Sequence, residues 1–450
     1  MTTRFTFQTR LRPGSESEYE RIHSTTPVEL DAVLRGAGAR FWRIERSGLS
    51  LLHYVEVDDV DTFTTVLDSD ETHLQWGTII NPLLTDEQPE RFVVLAFDFG
   101  QGNLIWELPV APGGRLSARG LMVGPLSLGC AQLGNLYRSM SDAAADAIVD
   151  AAWAGGIRHF DTAPHYGLGL SEQRLGRALR GRPREQVIVS TKVGRMLDAN
   201  TDYHGELDTG GFEVPARLVR RWDFSADGIR RCLDESLERL GLDHIDLVLM
   251  HDPEEHLADP GQAMREGFPA LAQLRDEGVI RAIGVGTKST RSLMRFVEDA
   301  DVDAVMLAGR YTLVNQEALS QLLPACEERS IDVLNAGVFN SGVLAHERPA
   351  VGALFDYGAA TRSLIDRVNQ IADVCETFDT SVPRIALEFA AAHPAVRAIV
   401  FGADSPQQVV DNLDLVARAP APRELWTELV SRELLSERAA EAVLAVTDVP

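Results

Sequence analysis

The sequence predicts an α/β chain, with a closed parallel (β/α)8 barrel of the TIM type preceded by a smaller α+β unit. Three observations carry this expectation. The texture changes near residue 108, where Leu108-Pro109-Val110-Ala111-Pro112-Gly113-Gly114 reads as a linker. From about residue 120, short apolar runs alternate with helical patterns, eight times over. No Gly-x-Gly-x-x-Gly follows a strand and opens a helix, which disfavours the runner-up, a doubly wound open sheet. The expected bounds are 1–108 for the small unit, 109–118 for the linker and 119–450 for the barrel.

Each element has its own signal. Phe5-Thr6-Phe7-Gln8-Thr9 alternates with the period of a strand. Ser15 to Gly36 reads as a helix with apolar positions at Tyr19, Ile22, Leu30, Val33 and Leu34. Leu51 to Val57 is a strand, Val60 to Leu67 opens a second helix, and Val93 to Phe99 is another strand. In the barrel the expected strands are Leu126–Leu128, Arg158–Asp161, Val187–Thr191, Ile245–Met250, Ala282–Val285, Ala304–Leu307, Ile331–Asn335 and Ala398–Phe401.

Composition removes several function classes. The 450 residues carry a formal net charge of -24, which a polyanionic nucleic acid or an acidic membrane surface would repel. Met1 to Arg12 lacks the apolar core of a secretory signal, and no apolar run is long enough to span a bilayer. The four cysteines are far apart and form no CxxC, which speaks against disulfides or a zinc site and for a reducing cytoplasm; no metal is expected. Among the 43 basic residues only Lys192 and Lys288 are lysines. Codon bias explains the arginines; the two exceptions are where an amine would be needed.

Catalytic groups of such barrels sit at the carboxyl ends of the strands. There the sequence places Asp161 and Tyr166 after the second strand, Lys192 after the third and His251 after the fourth. A free tyrosine, with a pKa of about 10, is a poor acid–base group at neutral pH. A neighbouring ammonium favours the phenolate and lowers that value, a carboxylate fixes the ammonium, and a histidine orients or protonates a substrate oxygen. Lysine suits the part because its ammonium is compact, whereas a guanidinium is broad and forked.

Phe160-Asp161-Thr162-Ala163-Pro164-His165-Tyr166-Gly167, with Ser171-Glu172-Gln173-Arg174-Leu175-Gly176, resembles the aldo/keto reductase family. So does Leu233-Asp234-Glu235-Ser236-Leu237-Glu238-Arg239-Leu240-Gly241 running into Asp246-Leu247-Val248-Leu249-Met250-His251. The resemblance, over about residues 120–420, implies that Tyr166 is the acid–base, Lys192 tunes it, Asp161 holds Lys192 and His251 orients the substrate. It also implies a nicotinamide nucleotide bound without the glycine fingerprint. Tyr311 would stack on the nicotinamide, Phe339, Ser341, Gly342 and Leu344 would cover the pyrophosphate, and Thr287 would lie at the cofactor face. Gly402, Asp404, Ser405, Gln408 and Asn412 would bind the adenosine end. Many relatives carry Arg or Lys at the position of Asp404; a carboxylate there would repel a 2′-phosphate, so NAD is expected over NADP. Lys288 either reaches a cofactor phosphate or starts a surface helix.

In the small unit Tyr19 and His23 are one helical turn apart, and Trp42 and Trp76 offer flat faces of the kind that stack on sugars. Glu18-Tyr19-Glu20-Arg21-Ile22-His23, then Pro27-Val28-Glu29-Leu30, resembles the L-rhamnose mutarotase family over about residues 3–100. That resemblance implies a ferredoxin-like unit with His23 as acid–base, Tyr19, Trp42 and Trp76 lining a sugar pocket, and a homodimer formed through this unit.

Trp222-Asp223-Phe224-Ser225 and His251-Asp252-Pro253 resemble the aldose 1-dehydrogenase branch of the reductase family. The fusion then reads as a bifunctional enzyme: one unit equilibrates anomers, the other oxidises the anomeric carbon of an aldose such as L-fucose to a lactone. The segment Arg195 to Trp222 is expected to shape the substrate pocket. Two alternatives stay open, an NADPH-dependent carbonyl reductase with a dimerising N-terminal module, and a non-catalytic nucleotide-binding redox sensor.

Overall fold

The computed structural model describes residues 3–23, 30, 33–34, 36–57, 59–85, 91–93, 103–107, 123–259, 261–418 and 420–447. The chain divides into two compact units, Met1–Gly113 and Gly114–Val449. The expected linker lies outside the described residues.

The first unit is built on a five-stranded sheet. Its strands are β1 (Thr3–Arg10), β2 (Ala39–Ser47), β3 (Ser50–Val57), β4 (Arg91–Val93) and β5 (Asn103–Glu107), in the order β4-β1-β3-β2-β5. Every pair is antiparallel. In β3, Leu51, His53, Val55 and Val57 are all buried, so every second side chain enters the core, as the strand period requires. His53 is the polar member of that row, and it is satisfied: Trp42 Nε1 donates to its Nδ1 at 3.2 Å, and its Nε2 meets Thr9 Oγ1 at 2.9 Å.

The helices of this unit differ in detail from the expectation. Helix Glu16–His23 is described, while residues 24–29, within the single long helix expected, are not. The helix expected to open at Val60 ends at Ser69, and a further helix, Glu71–Ile80, follows it. Asp70 separates the two. Its extended backbone breaks the first helix, and its carboxylate accepts the His73 N–H at 3.0 Å to cap the second. Of the strand expected over Val93–Phe99, only its start falls within the described residues.

In the second unit eight strands close a parallel barrel. They are β6 (Leu126–Gly129), β7 (His159–Asp161), β8 (Ile188–Val193), β11 (Ile245–His251), β12 (Ile280–Thr287), β13 (Ala304–Ala308), β14 (Asp332–Ala336) and β17 (Val396–Gly402), the last pairing back to β6. The other strands lie in connecting segments. β9 (Arg195–Ala199) and β10 (Leu218–Trp222) pair as a hairpin beyond β8, and β15 (Leu354–Phe355) with β16 (Gly358–Ala359) makes a second hairpin beyond β14.

Strand parity sorts the barrel side chains into two cores. Ile188, Leu247, Leu249, Met306, Leu334 and Val400 pack together inside the barrel. Their neighbours in sequence, such as Val189, Val248, Met250, Val305 and Val333, join the helices in a second cluster. Helix Ala226–Leu240 shows why such segments become covering helices. Ser225 caps its start, Gly241 ends it in the left-handed region, and Ile229, Cys232, Leu233, Ser236 and Leu240 make its buried stripe.

Gly176 lets helix Leu170–Leu179 rest on the end of that stripe. A Cβ at Gly176 would lie 2.1 Å from the Leu240 carbonyl oxygen, a backbone atom that cannot rotate away. Overpacking costs about 1–3 kcal/mol, and the better helix propensity of alanine returns at most about 1 kcal/mol. Gly176→Ala is therefore expected to lower the denaturant midpoint of the barrel unit, followed by circular dichroism; an unchanged midpoint would show that the two helices can part without cost.

Candidate active site

Parity also places the chemistry. In β7, Phe160 joins the helix-side core, so His159 and Asp161 turn inward. In β8, Val189 and Val193 go outward, leaving Ser190 and Lys192 inside; in β11, Leu249 and His251 share the inner face. Asp161, Lys192 and His251 thus reach the same end of the barrel from three adjacent strands.

Lys192 Nζ donates to Asp161 Oδ2 at 2.7 Å, to the Thr162 carbonyl at 3.0 Å and to the Tyr166 hydroxyl at 3.0 Å. All three of its N–H bonds are used. Tyr166 arrives from the turn after β7, where Gly134 and Gly167 let two backbones meet: a Cβ on Gly134 would lie 2.6 Å from the Tyr166 carbonyl carbon.

Beneath Asp161 runs a buried chain of hydrogen bonds that the sequence reading missed. His159 joins Ser127 Oγ at 2.7 Å and Ser190 Oγ at 2.9 Å, and Ser190 Oγ donates to Asp161 Oδ1 at 2.7 Å. Because the Ser190 proton goes to the carboxylate, its oxygen accepts from His159 Nε2–H, and His159 Nδ1 accepts from Ser127. His159 stays neutral, its pKa pushed down to about 4, mainly by burial.

Electrostatics set the resting protonation states. Burial pushes the Tyr166 phenol above its ordinary value, and Lys192 opposes this without cancelling it. The expectation that Lys192 brings this pKa below its free value is therefore corrected: it counters a burial penalty. Burial also works against the Lys192 ammonium, but Asp161 and Tyr166 outweigh it, so the amine stays charged. His251 is held well below the ordinary imidazole range by burial, with Arg195, Lys192 and His165 adding to it. It is neutral, and its Nδ1 is buried without a partner.

Several neighbours were not singled out from sequence. Asp252 takes the left-handed backbone conformation at φ 42 and pairs with Arg195, which also meets Glu255 at 2.9 Å and stacks 4.3 Å from the Trp222 ring centroid. Burial raises the Asp252 pKa to about 6, Arg195 opposing and Glu255 adding. Phe212 and Arg220, from the segment expected to shape the pocket, flank His165 and Tyr166.

The candidate cofactor residues divide. Gly402, Asp404, Ser405 and Gln408 form a turn at the head of helix Pro406–Ala417, where Ser405 caps the helix and Gln408 Oε1 accepts the Asp404 N–H at 2.9 Å. Asn412 lies within that helix, half-buried. Asp404 is not an unneutralised charge, as the sequence suggested, because Arg138 lies 3.1 Å from its carboxylate. Ser341 and Gly342 both take positive φ, and Ser341 Oγ accepts the Tyr357 N–H at 3.0 Å. Phe339 is half-buried beside them. Leu344 is fully buried and its amide donates to the Phe339 carbonyl, so it offers a ligand neither side chain nor N–H. Thr287 is engaged with Glu254 and with the Ser289 N–H.

Tyr311 is a correction. It is fully buried in the core between strands and helices, its ring 4.9 Å from Phe389, so a nicotinamide cannot stack on it. Lys288, left open by the sequence, lies 3.4 Å from Asp356 and 5.1 Å from the Tyr357 ring centroid, and Arg310 meets the same carboxylate at 2.9 Å. A nicotinamide nucleotide fits this face. Gln132 Oε1 is buried and unpartnered against Gly402, where any Cβ would strike the Gln132 side chain at 2.5 Å.

In the first unit His23, Trp42 and Trp76 line one pocket with Leu30, Leu34, Ile44 and His73. His23 Nδ1 donates to the Tyr19 carbonyl at 3.0 Å, so Nε2 carries the lone pair of the neutral ring, and burial lowers its pKa. Tyr19, expected in the pocket, lies buried against His23 with ring centroids 4.1 Å apart, outside the lining. His73 was missed, although it is three residues from Trp76 on one helix. Among the described residues no group of three or more His, Cys, Asp or Glu is placed to hold a metal, and no helix is long and apolar enough to cross a membrane.

Comparison with known proteins agrees with this division. Residues 125–431 match a model described as the aldo/keto reductase family, and residues 4–94 one described as L-rhamnose mutarotase. A D-threo-aldose 1-dehydrogenase of a Pseudomonas species is 45% identical over 321 residues, 71% of this chain and 97% of that protein. An L-galactose dehydrogenase of Arabidopsis thaliana is 31% identical, covering 73% of this chain and 93% of that one. Among solved structures, the holo form of an aldo-keto reductase from Bacillus halodurans superposes with a TM-score of 0.58 at 25% identity, over 72% of this chain and 96% of that one.

The Lys192–Asp161 pair makes a direct prediction. Removing one partner of a buried pair costs about 3–5 kcal/mol, while replacing both by neutral groups costs far less. Lys192→Met is expected to lower the unfolding free energy of the barrel by that amount, and Asp161→Asn in the same chain to recover most of it. Additive losses in a double-mutant cycle would count against the coupling.

Proposed function

The chain belongs to the aldo/keto reductase family and carries an L-rhamnose mutarotase domain at its N-terminus, and from that premise we propose that it is a bifunctional sugar enzyme. In this reading the barrel oxidises the anomeric carbon of an aldose such as L-fucose to its lactone, and the first unit interconverts the anomers. The observation that carries it is the single ammonium, Lys192, bonded at once to Asp161 and to the Tyr166 hydroxyl, beside a neutral His251.

A nicotinamide nucleotide, when bound, supplies the hydride acceptor. Gly402, Asp404, Ser405, Gln408, Ser341 and Gly342 would hold it, with Lys288 and Arg310 as the nearby cations. The proposal favours NAD. With Arg138 beside it, Asp404 does so less by repelling a 2′-phosphate than by accepting a bond from a ribose hydroxyl. A kinetic comparison of NAD with NADP tests this.

The chain's own groups then have definite tasks. Tyr166, as phenolate, takes the proton of the anomeric hydroxyl. Lys192 stabilises that phenolate before it takes the proton, and Asp161 keeps Lys192 in place. His251, neutral, fixes the substrate oxygen by a hydrogen bond without competing for the proton. Support for a sugar as substrate comes from the two relatives named for aldose and galactose dehydrogenation. In the first unit, His23 Nε2 is the group suited to shuttle a proton at the sugar ring, in a pocket that Trp42 and Trp76 also line.

Tyr166→Phe keeps the ring and removes the proton carrier. Turnover is expected to fall by at least about 10²-fold with nucleotide binding intact; retained turnover would assign the proton to another group. His23→Ala is expected to abolish anomer exchange, followed by polarimetry or saturation-transfer NMR, while oxidation of pre-equilibrated sugar continues. Undiminished exchange would remove the mutarotase reading from this unit.

A further inference from the structure

A second histidine stands at the reacting end of the barrel, and the tasks above do not use it. His165 immediately precedes Tyr166. Its ring centroid is 5.4 Å from that of His251 and 6.0 Å from that of Tyr166, and Tyr166 and His251 are themselves 6.0 Å apart. The three rings therefore pack together at one point of the barrel mouth. Phe212 also packs on His165, edge to face at 5.3 Å, and lies 6.0 Å from Tyr166.

This side chain is braced but not satisfied. Arg220 donates to the His165 carbonyl at 2.9 Å and grips Asp208 with two bonds, at 2.6 and 2.9 Å. The backbone is thereby tied to the segment beyond β8. His165 Nδ1, by contrast, is buried with no partner, like Nδ1 of His251 beside it. Burial, together with Arg195, Arg220 and Lys192, holds the ring neutral, so it offers one donor and one acceptor. Buried polar atoms in native proteins are nearly always paired, and two unpaired imidazole nitrogens on rings clustered with a reactive phenol mark where ligand atoms complete the network.

We infer that His165 is a specificity-determining residue that hydrogen-bonds the hydroxyl on the carbon next to the reacting one, so that the barrel selects aldoses bearing a 2-hydroxyl over their 2-deoxy analogues. This rests on the aldose dehydrogenase reading and extends it. Tyr166 and His251 share the oxygen at C1. The neighbouring oxygen of a 1,2-diol then falls toward the third ring of the group. A site that bonds a hydroxyl rejects the compound lacking it, because its own polar group is left unpaired.

The test compares D-arabinose with 2-deoxy-D-ribose, which is its 2-deoxy analogue, in the wild type, His165→Leu and His165→Asn. The wild type is expected to prefer the 2-hydroxy sugar by about 10²-fold or more in kcat/KM, His165→Leu to lose nearly all of that preference by losing activity on D-arabinose alone, and His165→Asn to restore part of it. An equal loss on both sugars in His165→Leu, or no preference in the wild type, would overturn the inference while leaving the dehydrogenase assignment intact. A wild type that oxidises no aldose would overturn both.

Discussion

The ammonium of Lys192 is the constraint on which the barrel site depends. Its side chain is only 3% exposed, as is that of Asp161, and a lone charge at that depth would be expelled or neutralised. It survives because every N–H is bonded and because Asp161 is itself anchored, through Ser190, to a histidine inside the barrel. The desolvation that makes the pair costly also makes it useful. In a dry site the ammonium acts on the Tyr166 oxygen with little screening, and its three hydrogen bonds hold it in place.

The same economy extends to the neighbours. Burial keeps His251 and His165 neutral, and the cations that act on these two rings, Lys192, Arg195 and Arg220, each have a carboxylate partner. A substrate then meets hydrogen-bonding groups rather than bare charges, which suits an uncharged polyol. In the proposed reading the first unit needs no shared chamber with the barrel to assist it: exchanging anomers in solution would be enough to replenish the one that the barrel would consume. The pocket of Trp42 and Trp76 around His23 is consistent with a sugar of the same class.

Much of this was legible in the sequence because barrels concentrate chemistry at strand ends. Asp161, Tyr166, Lys192 and His251 could be found by asking which reactive side chains follow apolar runs. What was not legible depended on burial or on distant pairing. Tyr311 reads like any aromatic after a strand, yet its side chain goes into the helix layer. The residue that meets Asp404 is Arg138, 266 positions away. The sequence showed that a lysine would sit near Tyr166, but the sign of the net shift depends on how deeply the phenol is buried. His159 could have been found by parity, two residues before Asp161 in a strand whose inner face was already assigned.

The central claim is that Lys192 lowers the cost of ionising a buried phenol. The pH dependence of kcat/KM for aldose oxidation in wild type and Lys192→Met tests it most directly. Oxidation needs the phenolate, so the rate rises with pH until Tyr166 is ionised. The account predicts that removing the ammonium moves this rising limb to higher pH, since Lys192 is what opposes burial. Limbs that superimpose would contradict it.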